Sequence, residues 1–185
     1  MGTTGTQILS VGSTGSLMAG KTVPAAPCSD ITAIVLDSNT NFVFVVDSHG
    51  GVCNYAVNAS NGDLNPISTT LSPGGNTPVS IAIDPAAEFL FTANNVSNDV
   101  TGFNVAADGT LTPMTRSPFA AGQAPSDLAV DPSGKYVYVT NAAMGTISLF
   151  SITNDKTLKS GGSATSGSKP TRHRCNAITE LASQC

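Results

Sequence analysis

A pattern of alternating apolar residues returns along this chain at a fixed interval of 47 residues, so equivalent segments must fold into equivalent elements. Residues 125–152 read PSDLAVDPSGKYVYVTNAAMGTISLFSI. The first half of this stretch returns upstream as PVSIAIDPAAEFLFTANN over 78–95, and again as ITAIVLDSNTNFVFVVDS over 31–48. Single positions keep the register: Asp37, Asp84 and Asp131 are 47 apart, and so are Asp47, Asn94 and Asn141. Leu17, Leu64, Leu111 and Leu158 follow the same interval. Within each copy the apolar residues alternate, which is the period of a strand and not of a helix. The one helix-like stretch, NAITELAS at 176–183, is too short to hold a helix alone.

One copy reads as four strands. In the first, Ile34 and Leu36 share a face whose counterparts are Ile81 and Ile83, then Leu128 and Val130. A turn follows, DSNT, DPAA or DPSG; its Asp can accept backbone N–H groups two residues on, and Pro presets φ. The second strand is NFVFVVD, EFLFTAN or KYVYVTN, with aromatics at alternate positions. A polar loop leads to a third strand at 52–57, 100–105 or 146–152, and a fourth lies around Leu64, Leu111 and Leu158. A sheet of this kind has two apolar faces and must stack on neighbours to bury them. The fold expected is therefore all-β, a β-propeller of four-stranded antiparallel blades.

The organisation expected is propeller repeats over 1–159, followed by a Gly/Ser-rich linker and tail over 160–185. The repeats divide into a half-blade at 5–20 and blades at 31–70, 78–117 and 125–159. In the half-blade, Leu9 aligns with Phe103 and Phe150. The tail keeps Pro170 where Pro125 would lie, but PTRHRCNAIT lacks the apolar alternation and the Asp-Pro turn, so it reads either as a degenerate partial blade or as an unnatural end.

Composition narrows the function classes. Eleven per cent of residues are charged and the net charge is -4, which offers no basic field to a phosphate backbone, so nucleic acid is not expected as a partner. No apolar run approaches the roughly 18 residues of a membrane span. Low charge with many Ser, Thr and Asn favours a secreted or periplasmic protein. Cys28, Cys53, Cys175 and Cys185 form no C-x-x-C pair, so neither a metal site nor a cofactor is expected. Cys53 reads as a small buried apolar residue, and Cys175 with Cys185 as a pair able to bridge under oxidising conditions.

Tyr138-Val139-Thr140-Asn141, preceded by Asp131-Pro132-Ser133-Gly134-Lys135, resembles the signature of the YVTN-type β-propeller repeat. The arrangement over 5–159 is similar to the seven-bladed lactonase family, which includes 6-phosphogluconolactonase-like proteins and many bacterial surface propellers. The resemblance implies a propeller fold, and lactone hydrolysis as one activity to test. A seven-bladed ring needs about twice the repeats present here. An open stack exposes strand edges and an apolar face, which proteins avoid. The expectation is a homodimer in which two chains complete one ring, each lending its half-blade to the other. A closed four-bladed monomer is the alternative.

Ligands of propellers usually meet the loops at one end of the central channel. Two functions are weighed. In the first, the ring is a rigid scaffold that presents Asn94, Asn95, Asp99, Asn141 and Asp127 to a small molecule, glycan or partner protein. In the second, it is a hydrolase of a lactone or small ester. That chemistry needs a base to activate water and donors for the oxyanion, roles that fall to His49 beside Asp47 and to Arg116. Residues two apart in an extended stretch point the same way, which favours the Asp47–His49 pair. The opposing reading is that Asp47, in the slot of Asn94 and Asn141, caps a strand end, leaving His49 a solvated loop residue.

Overall fold

The computed structural model describes residues 7–11, 17–22, 28, 30–39, 41–71 and 75–166, and over them every regular element is a strand. β1 (Gln7–Val11) and β2 (Leu17–Thr22) pair as an antiparallel hairpin. β3 (Ile31–Leu36), β4 (Phe42–Asp47), β5 (Gly51–Val57) and β6 (Leu64–Leu71) make the first four-stranded sheet, in chain order. The second contains β7 (Pro78–Ile83), β8 (Phe89–Asn94) and β9 (Asp99–Val105). Its outer edge is in two pieces, β10 (Leu111–Pro113) and β11 (Phe119–Ala120), both paired with β9. β12 (Pro125–Val130), β13 (Tyr136–Asn141), β14 (Thr146–Ile152) and β15 (Leu158–Thr165) form the third. β15 thus runs six residues into the stretch that composition assigns to a linker. The tail over 167–185, with Cys175, Cys185 and the helix-like 176–183, lies outside the described residues.

The turn between the first two strands of each sheet is held by its aspartate. Phe42 N donates to Asp37 Oδ1 at 2.9 Å. Glu88 N and Phe89 N donate to Asp84 Oδ1 at 2.7 and 2.6 Å, and Lys135 N and Tyr136 N to Asp131 Oδ1, both at 2.8 Å. Each carboxylate therefore supplies the acceptors that the backbone loses on turning.

The blades stack through the alternation of their second strands. Phe42, Phe44 and Val46 point toward the second blade and pack with Ile81, Leu90 and Phe103. Phe89, Phe91 and Ala93 point toward the third and pack with Leu128, Val139 and Phe150. Phe44, Phe91 and Phe103 are fully buried, each stabilising by roughly 2 to 3 kcal/mol. Polar contacts pin the same junctions. Thr32 Oγ1 donates to Pro78 O at 2.7 Å, and Asn54 Nδ2 donates to the carbonyl of Gly109. Gly109 has a φ of +81°, and a Cβ there would lie 2.6 Å from the Phe42 ring, so only glycine fits.

The stack is open. β7 lies against β3 on one side and β12 on the other. The end face of the third blade is uncovered along β13, and that of the first blade only along β3, because Val43, Val45, Cys53 and Tyr55 on the same face are buried. Ile34 and Leu36 on β3 are 55% and 52% exposed, whereas Ile81, in the slot of Ile34, is buried. Tyr136 and Tyr138 on β13 are likewise exposed, in the slots of buried Phe89 and Phe91. Among the described residues the blades form an open stack and do not close into a four-bladed ring.

Candidate functional site

The strand pairing brings the candidate residues to one end of the stack. Ile31 pairs with Asp47, Pro78 with Asn94 and Pro125 with Asn141, so the start of each inner strand meets the loop between second and third strands. The Asp37, Asp84 and Asp131 turns occupy the opposite end. At the rim each inner strand carries the same irregularity, a register shift after its first residue at Ile31, Pro78 and Pro125. Such bulges re-aim neighbouring side chains.

On the first blade the rim holds a compact polar cluster. Asp47 is buried; its Oδ2 accepts from Asp30 N at 3.0 Å and its Oδ1 from His49 N at 2.7 Å. His49 Nδ1 lies 2.8 Å from the same Oδ1, and the His49 side chain is 76% exposed. An ionised carboxylate only accepts, so Nδ1 carries the proton and Nε2 presents its lone pair outward. Ser48 Oγ donates to Asp30 Oδ2 at 2.6 Å and sits 3.3 Å from His49 Nδ1. Ser48 and Asp47 therefore approach the same ring nitrogen, whereas a Ser-His-Asp relay needs them on opposite nitrogens. The cluster can support an Asp-His base but not an activated serine.

The equivalent positions on the other blades are tied into the fold. Asn94 is fully buried, and its Nδ2 donates to Asp99 Oδ1 at 2.6 Å and Thr101 Oγ1 at 2.9 Å. Asn141, also fully buried, donates to Thr146 Oγ1 and Ser148 Oγ and accepts from Gly122 N at 3.1 Å. A Cβ on Gly122 would fall 2.5 Å from Asn141 Cγ, so the loop can approach only as glycine. Asn95 Nδ2 donates to Pro125 O at 2.9 Å, crossing from the second blade to the third. Asp127 is on β12 itself and not in the loop before it. Its Oδ1 accepts from Ser80 Oγ on β7 and from Leu128 N at 3.0 Å.

Arg116 stands apart from this group. It is exposed in the connection between β10 and β11, on the outer edge of its sheet, with β9 and β8 between it and the inner strand β7. The structure brings Asp47 and His49 together and leaves Arg116 away from them.

Two contributors escape sequence reasoning. Asp30 precedes β3 where the other copies have Thr77 and Ala124, so no repeat signal marks it. Ser80 shares a slot with Ala33 and Asp127, and a polar residue there on an inner strand was the available clue. Cys53 is buried, as its place in a strand implies, but it is bonded to Cys28 and is not a free apolar residue. The bond fixes the segment before β3 to β5, two residues from Asp30. Among the described residues no group of three His, Cys, Asp or Glu side chains could hold a metal ion, and no helix is long and apolar enough to cross a membrane.

Comparison with known proteins agrees with this architecture. No curated protein matches the chain. Solved structures match at low identity. A protein from Lactobacillus plantarum is 18% identical with a TM-score of 0.76, covering 88% of this chain and 50% of that one. A putative 6-phosphogluconolactonase from Bacteroides fragilis is 21% identical with a TM-score of 0.71, covering 87% and 44%. The periplasmic gluconolactonase of Pseudomonas aeruginosa is 22% identical with a TM-score of 0.68, covering 82% and 44%. The chain thus spans about half the length of the solved structures it matches. Residues 3–118, more than half of the 185, match the model of the family described as lactonase, 7-bladed beta-propeller, and the three consecutive four-stranded blades are of the form that name describes. The chain belongs to the lactonase family of seven-bladed β-propellers.

Proposed function

We propose that the chain is a rigid scaffold which binds a small molecule, glycan or partner protein at the rim where the blade loops gather, with a second copy completing the ring. The observation that carries this reading is the internal use of the rim's polar groups: Asn94, Asn141 and Asp99 are buried and bonded across to the adjacent strand of their own sheets. They stiffen a surface and are not positioned to react. Exposed Met144, Val96 and Gln123, with half-buried Asn95 beside them, then offer a mixed apolar and polar contact surface. The Cys28–Cys53 bond supports residence in an oxidising compartment.

A second reading is favoured by one contact, that between His49 Nδ1 and Asp47 Oδ1 at 2.8 Å. With Nε2 turned to solvent, His49 can take a proton from water attacking a lactone or small ester. Structural neighbours named as gluconolactonases support testing that chemistry. With Arg116 on an outer edge, this reading rests on His49 and Asp47. The deciding experiment measures hydrolysis of a lactone and ester panel by the 185-residue protein, His49→Ala and Arg116→Ala. The scaffold reading expects no turnover above buffer. Turnover lost in His49→Ala and kept in Arg116→Ala would establish the hydrolase instead.

A further inference from the structure

The outer strand of each blade meets no further strand among the described residues, so its outward N–H and C=O groups are open to pairing. Two blades blunt that edge in the same way. Pro66 and Pro113 are 47 apart, and the position 47 further on is Ser160. Each lies two residues past the leucine that opens its strand, and they pair with Tyr55, Phe103 and Phe150 in turn. The hairpin turns fix which way these residues point. Asn58 N donates to Asp63 O, Ala106 N to Thr110 O and Thr153 N to Thr157 O. Bonded and non-bonded pairs alternate from there, and all three positions fall in non-bonded pairs, with their backbone groups turned away from the sheet. A proline there leaves the ladder intact and removes an outward donor. β15 lacks that block: after Leu158 all its residues are exposed, and Ser160 keeps its N–H.

We infer that the free edge of β15 takes up an extended segment of a partner protein as an antiparallel fifth strand, with a large apolar residue opposite Gly162 and an acidic residue two places on, beside Lys159. The unused main-chain groups fit another extended backbone, and the side chains along the edge select it. Gly162 pairs with Leu149 and brings no side chain of its own, so half-buried Leu149 is open from the edge. An aromatic or aliphatic side chain laid over an edge glycine reaches across it to the next strand. Lys159 pairs with Ser151, two residues from Leu149 and therefore on the same face, and is the one charge on β15. The register shift between Leu149 and Phe150 leaves Gly162 and Lys159 two paired places apart, which sets the spacing in the partner. A second copy of β15 fits worse, because an antiparallel pair of such strands sets glycine and serine against one another and leaves Leu149 uncovered. The edge is separate from the rim loops, so binding at either can be lost without the other.

Fluorescence anisotropy of the labelled peptide fluorescein-TVTFTET-amide, titrated with the 185-residue protein, tests this. Wild type should bind it, and Phe→Ala in the peptide should weaken binding about 10-fold. Of two copies N-methylated at alternate residues, one along each edge, one should lose binding and the other keep it. Ser160→Pro copies Pro66, which lies beside the same register shift, so it should keep the thermal transition and bind on the order of 10-fold more weakly. Lys159→Glu should weaken binding several-fold and recover it with a peptide carrying Lys in place of Glu. Should Ser160→Pro fail to fold, the methylated peptides and Lys159→Glu decide. No binding by wild type at millimolar protein overturns the inference, as does equal binding by both methylated copies or by a folded Ser160→Pro. Slow amide exchange at Ser160 and Ser163 in the protein alone shows an edge already covered and also overturns it. Protection that grows with protein concentration then assigns the edge to a second copy, and protection independent of concentration assigns it to the chain itself.

Discussion

At the scale of single residues, similar side chains at equivalent rim positions differ in what holds them. Asn94 is enclosed by Asp99, Thr92 and Thr101, and removing its amide strands those partners without water. Asn94→Ala should therefore lower stability by about 2 kcal/mol, read from the midpoint of urea unfolding. His49 shares the same rim but is largely solvated, so His49→Ala should stay within about 0.5 kcal/mol of wild type in the same experiment. A large loss in His49→Ala would show that the ring nitrogen contact with Asp47 is structural. Acid behaviour is set partly at the far end. Burial pushes the Asp131 carboxyl up, but hydrogen bonds from the Ser133 hydroxyl and from the backbone N–H groups of Tyr136, Lys135 and Ser133 outweigh it. Its pKa is held below the ordinary 3.8. A carboxyl depressed on folding stabilises the fold above its unfolded value and loses that contribution as pH falls through the folded one. Wild type should thus lose stability below about pH 4, and Asp131→Asn should lose less over that window, as followed by thermal unfolding at stepped pH.

At the scale of elements, what could be read from the sequence is what recurs. Asp37, Asp84 and Asp131 were legible as turn formers because each acts on residues at most five positions away. Aromatic alternation at Phe42, Phe89 and Tyr136 likewise placed the second strands, since its period is a backbone property. Features outside the repeat were not legible. The Cys28–Cys53 bond joins a non-repeating segment to β5, and sequence alone does not fix cysteine pairing. Nor does periodicity reveal that the outer edge of the second blade is split where Met114 turns in over Gly102 and leaves Arg116 on the outer edge. The disulfide closes a loop of sequence separation 25, so its absence should cost about 3 kcal/mol on chain-entropy grounds. Thermal unfolding with and without reductant measures this, with Cys28→Ala/Cys53→Ala as the control that should no longer respond. An unchanged transition in reductant would show that the unfolded chain is already confined by other means.

At the scale of the whole molecule, stability and association are one quantity if the end faces are covered only in the ring. The three blades bury two junctions internally and leave Tyr136 and Tyr138 exposed at one end and Ile34 and Leu36 at the other. Whatever binds the folded chain and not the unfolded one stabilises it by mass action, so a self-associating fold must melt at a temperature that depends on its own concentration. For a dimer unfolding to two chains of this length, the thermal midpoint should rise by about 2 °C for each tenfold increase in protein concentration. Calorimetry across the micromolar range measures that slope directly. Tyr138→Lys should remove the slope, because its folded state has no partner to gain at higher concentration. A wild-type midpoint independent of concentration would mean that the open stack carries its exposed faces without a second copy, and that the fold draws its stability from the two internal junctions alone.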